Sequence, residues 1–404
     1  MNMLVLDTIH GADVIGNEFA ARGHAVDVVD VYRHKSVVDT GTALGRTYDI
    51  IVAPVHLDPD HPLLHSGNAP VISHHEAVRR LLGERVPRPM IEVTGARGKT
   101  TTAFALAHLM AGAGVLHTSA GTFLYPERRL LWKRSITPAS VLAAAGAAIG
   151  INGWLVAEES LGVTGAGSLA IITSADDYAC AAKKKSALAE KLKSVKNSRR
   201  VLLAPSLPSG TPAMVKLEDV ARCSSSDCFI SCGGVSGSFH NPLLVLDAYR
   251  TPLMLAGAAA CLLGIDPAPL SGFQAVEGRL SVRHAGTVTI VDDANSGTNM
   301  MTAIEAARYA RAIARVPALT LVIGTEPGDG AVCEGFLDEE ICGAIDVIQP
   351  ERVILVGDVL SPEELAHRLK STSIVRSPTF REACDAAIAA TASGSIVLAV
   401  KTWR

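Results

Sequence analysis

The stretch Thr94-Gly95-Ala96-Arg97-Gly98-Lys99-Thr100-Thr101 combines residue types and spacing that can do chemistry. Its glycines let a backbone come close to a ligand, a helix opening after them would direct free N–H groups at an anion, and Lys99 adds a mobile positive charge. The hydroxyl of Thr100 or Thr101 can offer an oxygen to magnesium. The chemistry indicated is phosphate binding, against the plainer reading of a glycine turn with an exposed lysine. The generic spacing G-x-x-x-x-G-K-[ST] would need glycine at 93, where the chain has Val93, so this loop is a shorter one.

Such a loop needs a strand before it and a helix after it. Ile91 to Val93 read as the end of a buried strand and Thr100 to Ala111 as an Ala/Leu-rich helix. Residues 1–85 form a first segment, opening on MNMLVLD and returning in AVDVVDVY as a β-α-β unit, with Gly11 and Gly16 read as turn glycines. Pro87 and Pro89 mark its exit. Residues 86–273 hold the loop and the strand-like WLVAEE, LAIIT and RVLLAP, and residues 274–404 offer TVTIVDDA, ALTLVIG, RVILVGD and SIVLAV. Helices are expected between these runs, including Met300 to Ile313 and Pro362 to Leu369, with Met300 and Met301 packing on a helix face. The alternation predicts an α/β fold with mostly parallel sheets.

Composition agrees with a folded chain of this kind. Of 404 residues, 48% are hydrophobic but only 4% aromatic, so packing must rest on aliphatic side chains. A formal charge of -3 gives no bulk drive toward nucleic acid. The N-terminus lacks the form of a signal peptide, and the apolar run Pro252 to Ile265 is too short for a membrane span of about 20 residues. Eight cysteines in so long a chain suggest a reducing, cytoplasmic setting. Cys223, Cys228 and Cys232 then read as thiols, since they lack a fourth nearby zinc ligand. A basic run holds Lys183, Lys184, Lys185, Lys191, Lys193, Lys196, Arg199 and Arg200. It reads as a solvated helix face or as an attractor for an acidic small molecule.

The short T-G-x-x-G-K-T loop resembles that of the Mur-ligase superfamily, and further motifs extend the likeness through the C-terminal half. The resemblance implies a three-domain α/β architecture: residues 1–85 as a small Rossmann-like substrate domain, 86–273 as a central P-loop ATPase domain, and 274–404 as a Rossmann-like ligase domain. It implies ATP bound by Thr94 to Thr101, with magnesium held by Thr100 and by Glu158 of VAEES; Glu159 is the adjacent competitor, and strand alternation would turn only one of the two toward the site. His240 and Asn241 resemble an H-N motif at a helix start, implying active-site support and nucleotide contact. Arg279 of EGRL would meet ATP phosphates, and Asp292 or Asp293 would orient cationic groups or the ribose. Lys99, Glu158, His240 and Arg279 form the implied catalytic set. Asn295 and Ser296 replace a His-Asn pair of the peptide-forming relatives. Many relatives carry a carbamylated lysine after an Asp-His region; here Thr173-Ser174-Ala175-Asp176-Asp177 lacks that His, so Lys183, Lys184 and Lys185 receive no such assignment.

Within the superfamily, the motif set is most similar to the coenzyme F430 synthetases of methanogens. That likeness implies ATP-dependent activation of a side-chain carboxylate on an acidic nickel tetrapyrrole, followed by carbon–carbon ring closure. His10, His34, His74 and His75 are candidate substrate-side groups, although surface solvation is the plainer expectation for each. The alternatives are an amide-forming ligase acting on a peptide, folate or other acid, and a noncatalytic nucleotide-sensing protein.

Overall fold

A computed structural model describes residues 1–33, 38–208, 210, 213–314, 318–326, 335–360 and 373–402. The expected helix at 362–369 and the candidate His34 lie outside them. The chain divides into two compact units, Met1–Phe273 and Gln274–Arg404.

The first unit opens with a four-stranded parallel sheet of β1 (Asn2–Leu6), β2 (Ala25–Val29), β3 (Ile50–Ala53) and β4 (Val71–Ser73), in the order β2-β1-β3-β4. The chain leaves β1 for β2 on one side and then crosses to β3 on the other. Strand order therefore reverses between β1 and β3, which opens a crevice at their carboxyl ends.

Next comes an eight-stranded sheet containing β5 (Met90–Thr94), which lies between the strands Leu169–Ile172 and Trp154–Glu158. Its pairings are parallel except at one edge, where Gly121–Tyr125 and Arg129–Trp132 run antiparallel. Every residue of β5, Trp154–Glu158 and Leu169–Ile172 is buried, as expected of aliphatic strands covered on both faces. The two sheets share one core through the helix Pro138–Gly150. Its Ala139, Ala144 and Ala148 pack with Val5, Ile15, Ala77 and Leu81. Small side chains permit this approach: a Cβ on Gly11 would lie 2.4 Å from that of Ala139, so no larger residue fits there. A chain poor in aromatics gains its packing this way.

A separate antiparallel sheet of Ala221–Ser224, Asp227–Cys232 and Val235–His240 follows. It corrects the thiol reading for two cysteines. The turn between its first strands sets Cys223 directly opposite Cys228, and the two form a disulfide. Cys232 is a free thiol.

The second unit holds a six-stranded mixed sheet among the described residues. Ser281–Ala285 forms an antiparallel edge, and the next strand, Val288–Asp292, begins a parallel series that continues through Gly394–Lys401 and Leu319–Thr325 to Arg352–Val356 and Ser373–Ser377. Ile290, Val322, Ile354, Ile396 and Leu398 form its core with Ala383 and Ala387 of the helix Phe380–Ala390. Among the described residues, no helix is long and apolar enough to cross a membrane.

Candidate active site

β5 delivers the chain into the loop 95–98, and the helix Lys99–Leu109 leaves it with Gly98 as its N-cap. Gly95 has φ +153, and a Cβ there would sit 2.0 Å from Thr173 Oγ1. The loop is held from beneath: Thr173 Oγ1 donates to Thr94 O at 3.2 Å and to Arg97 O at 2.5 Å, while Ser174 Oγ accepts from Ala96 N at 3.2 Å. Arg97 is exposed and pairs with Asp176 at 2.7 Å. The expected strand–loop–helix is therefore present, with its helix N-terminus directed out of the sheet at the carboxyl end of a central strand.

Four side chains meet at this helix start. Lys99 Nζ donates to Gly95 O at 3.2 Å and lies 4.0 Å from Glu158 Oε1. Thr100 Oγ1 donates to Glu158 Oε2 at 2.9 Å, and Ser119 contributes its backbone N–H to the same oxygen at 3.0 Å and its hydroxyl to Thr100 at 3.2 Å. A hydroxyl and a carboxylate converging beside a lysine suit a hard divalent cation bound together with phosphate. The neighbour Glu159 turns away, toward Glu92. Glu159 is buried, and burial, and then the charge of Glu92, push its carboxyl well above the usual range. Strand alternation thus separates the two glutamates. Ser119 had no signal in the sequence, because nothing in HTSAG announces that its strand runs beside Trp154–Glu158.

The basic run divides into groups with different tasks. Lys184 pairs with Asp58 at 2.7 Å and Asp60 at 2.6 Å, and Lys185 donates to Val55 O at 3.2 Å. Lys191, on the helix Ala187–Ser194, is fully buried instead of lying on a solvated face. Its Nζ has no hydrogen-bond partner among the described residues and sits 4.5 Å from the centre of the Tyr178 ring. Burial, then the nearby charge of Lys99, lower its amine to about 8. Lys191 is thus the lysine set apart from the others, a distinction that only its burial makes.

Other predicted residues are placed differently from expectation. His240 ends a strand, exposed, with Nδ1 3.0 Å from Asp227 Oδ1, and the helix-start role falls to Asn241, which caps the short turn Pro242–Val245. Asn241 is buried; its amide donates to Leu270 O at 2.7 Å and Phe273 O at 3.0 Å and accepts from Leu243 N at 2.9 Å. These bonds fasten the start of that turn. His74 and His75 are buried, against the expectation of surface solvation. Both donate from Nε2 to backbone carbonyls, Leu6 O and Ser160 O, and burial lowers them to about 3 and about 4. Thr94 and Thr101 are buried at the loop's flanks.

In the second unit, Arg279 Nη1 donates to Asn295 Oδ1 at 3.0 Å, and Asn295 Nδ2 donates to Gly278 O at 2.7 Å and Asp293 O at 3.0 Å. Asn295 therefore ties the Arg279 turn to the Asp292-Asp293 strand end. Asp292 accepts from Ala294 N at 3.0 Å. Asp293 is buried, and burial pushes its carboxyl up to about 7 despite Arg279.

A family model described as Coenzyme F430 synthetase CfbE, C-terminal domain, matches residues 282–402. The coenzyme F(430) synthetase of Methanosarcina acetivorans is 29% identical to the chain, over 88% of this chain and 90% of that one. The corresponding protein of Methanocaldococcus jannaschii is 27% identical over 48% of this chain and 50% of that one. Among solved structures, E. coli FolC in complex with DHPP and ADP has a TM-score of 0.56 at 16% identity, covering 82% of this chain and 90% of that one. A pseudomurein peptide ligase type C from Methanothermus fervidus has a TM-score of 0.53 at 15% identity, covering 99% and 97%. The chain thus shares the fold of these ligases and is distantly similar in sequence to coenzyme F(430) synthetases.

Proposed function

We propose that this chain is an ATP-dependent cyclising ligase that activates a side-chain carboxylate of a seco nickel-tetrapyrrole acid and closes its carbocyclic F ring to form coenzyme F430. The observation that carries the chemistry is the meeting of Lys99, Thr100 and Glu158 at the mouth of the loop. Similarity to a coenzyme F(430) synthetase along 88% of the chain supports the substrate. In this reading residues 1–85 present the acid, 86–273 bind nucleotide, and 274–404 supply Arg279 and the Asp292-Asp293 turn.

The helix N–H groups after Gly98 and the ammonium of Lys99 would hold the ATP phosphates and offset charge as the γ-phosphoryl passes to the substrate carboxylate, releasing ADP. Magnesium, when bound, supplies Lewis-acid neutralisation of the phosphate oxygens, and Thr100 Oγ1 with the Glu158 carboxylate are the residues that fit it. A carbon of the same substrate, which gives up a proton to solvent, then attacks the acyl phosphate; the new carbon–carbon bond forms as the C–O bond to phosphate breaks, and phosphate leaves. We assign Lys191 as the carbamylated lysine that the resemblance implies. Its ammonium, lowered to about 8, can lose one proton, and the neutral amine can then add CO2 and lose a second, which replaces a strained positive charge beside Lys99 with a negative one.

The test is nucleotide turnover with product mass spectrometry, using the seco nickel-tetrapyrrole acid, ATP and magnesium. ADP formation with a product lighter than the acid by one water supports the proposal. A product heavier by an added amine less water makes the chain an amide ligase. ATP binding without acid-dependent ADP makes it a nucleotide sensor.

A further inference from the structure

The crevice between β1 and β3 in the first sheet holds three potential metal ligands that the ligase reading does not use. Asp7 leaves the end of β1 in a left-handed backbone conformation, φ 80, and is fully buried. His10 follows at the end of the turn Thr8–His10, and His56 lies on the loop after β3. Both imidazoles approach one carboxylate oxygen: His10 Nδ1 lies 2.5 Å from Asp7 Oδ2 and His56 Nε2 lies 3.3 Å from it. One ligand atom from each of the three residues lies within 4.8 Å of the other two.

We propose that Asp7, His10 and His56 form a binding site for a divalent transition metal with at least one coordination position open to an external ligand. The donor set is two imidazoles and a carboxylate, which suits zinc, cobalt or nickel and does not suit magnesium. Around a tetrahedral ion with bonds of about 2.0–2.1 Å, neighbouring ligand atoms stand about 3.3 Å apart. The Asp7–His56 separation is already that, and His10 needs to retreat by less than about 1 Å.

The surroundings hold the ligands while leaving a way in. The His10 and His56 rings meet edge to face with centroids 4.3 Å apart, and Tyr32, from the loop after β2, stacks along His56 at 6.0 Å. Lys185 fixes the backbone next to His56 through Val55 O, and Lys184 grips Asp58 and Asp60 on the same loop. Asp7 is sealed at 0% side-chain exposure, whereas His10 and His56 keep 30% and 25%. A metal held there would face the crevice where sheets of this topology take their ligands, with water or a ligand donor atom completing its shell. The plainer alternative is an Asp–His ion pair that only ties two loops together.

The two readings separate by direct metal titration of the untagged full chain after chelator treatment. Cobalt is followed by its visible absorption bands, and zinc is then used to displace it. The expected result is one equivalent of cobalt bound by the wild type and displaced by zinc. In the His10→Ala/His56→Ala variant affinity should fall by at least about tenfold, as even outer-shell changes cost that much at metal sites. Lys99→Ala and the exposed His65→Ala should bind as wild type does. Should the double variant not fold, His56→Gln alone, on a partly exposed loop, should show the same fall. A folded wild type that takes up no stoichiometric cobalt, or binding that survives folded His10→Ala/His56→Ala or His56→Gln unchanged, overturns the proposal. Because neither nucleotide nor tetrapyrrole enters the measurement, its failure would leave the ligase reading standing.

Discussion

Replacing Lys191 with Met tests whether its burial costs the fold what the structure indicates. The amine falls from 10.5 to about 8, chiefly through burial and then through Lys99. At about 1.4 kcal/mol for each pH unit, holding the charged form inside costs up to about 3 kcal/mol. The Tyr178 ring, 4.5 Å from Nζ, returns part of that, on the order of 1 kcal/mol. Lys191→Met keeps a similar length and removes the charge, so the variant should be more stable by about 2 kcal/mol at pH 7, which for a unit of this size corresponds to a rise in melting temperature of about 3 °C. The sign with pH follows from a folded-state value below the unfolded one. The penalty is complete below about pH 8, shrinks as pH rises, and disappears by about 10.5, where the lysine is neutral in both states. Thermal unfolding in CO2-free buffers between pH 7 and 10.5 should show the two proteins converging. A variant less stable than wild type at pH 7, or a gap that widens toward pH 10, would refute the account of a buried, destabilised ammonium. Bicarbonate should raise the stability of the wild type alone if the amine takes up CO2.

Lys99→Ala should lower acid-dependent ADP production by about a hundredfold or more while the melting temperature changes little. Glu158→Gln should raise the magnesium concentration needed for half-maximal nucleotide binding by at least about tenfold, measured by titration calorimetry, because only a neutral amide remains beside Thr100 Oγ1. Gly95→Ala should destabilise the first unit by about 2 kcal/mol or more in urea unfolding, since its Cβ would meet Thr173 Oγ1 at 2.0 Å. Asp293→Asn should stabilise the protein at pH 8. A carboxyl raised from 3.8 to about 7 sets a ceiling of about 4 kcal/mol, and the advantage should fade as pH drops from about 7 toward 4. A flat pH response of that difference would show that Asp293 is not a strained buried acid.

What could be read in the linear chain was whatever depends on neighbours in sequence. Aliphatic runs of strand length alternating with Ala-rich stretches announced an α/β fold, and the bounds of β5 and the helix Lys99–Leu109 lie within a residue or two of the reading. The loop from Thr94 to Thr101 was legible because its glycines, lysine and threonines are consecutive, and a strand–loop–helix joins them without help from elsewhere. Period-two alternation also indicated that only one of Glu158 and Glu159 would face the site, and the resemblance pointed to Glu158.

Contacts between distant parts of the chain were decided by the tertiary structure alone. Ser119 reaches Glu158 only because two strands lie side by side, and Lys191 differs from its basic neighbours only because its helix turns it inward beneath Tyr178. His74 and His75 became core groups when the first sheet packed on the second, and Cys223 met Cys228 through a turn that composition could not foresee. Asp7 and His10 share one turn, but His56 follows β2 and β3 and joins them only at the reversal of strand order. Local spacing specifies which groups a short segment presents. Burial, which sets whether a lysine is charged or a histidine neutral, depends on what the rest of the fold lays over it.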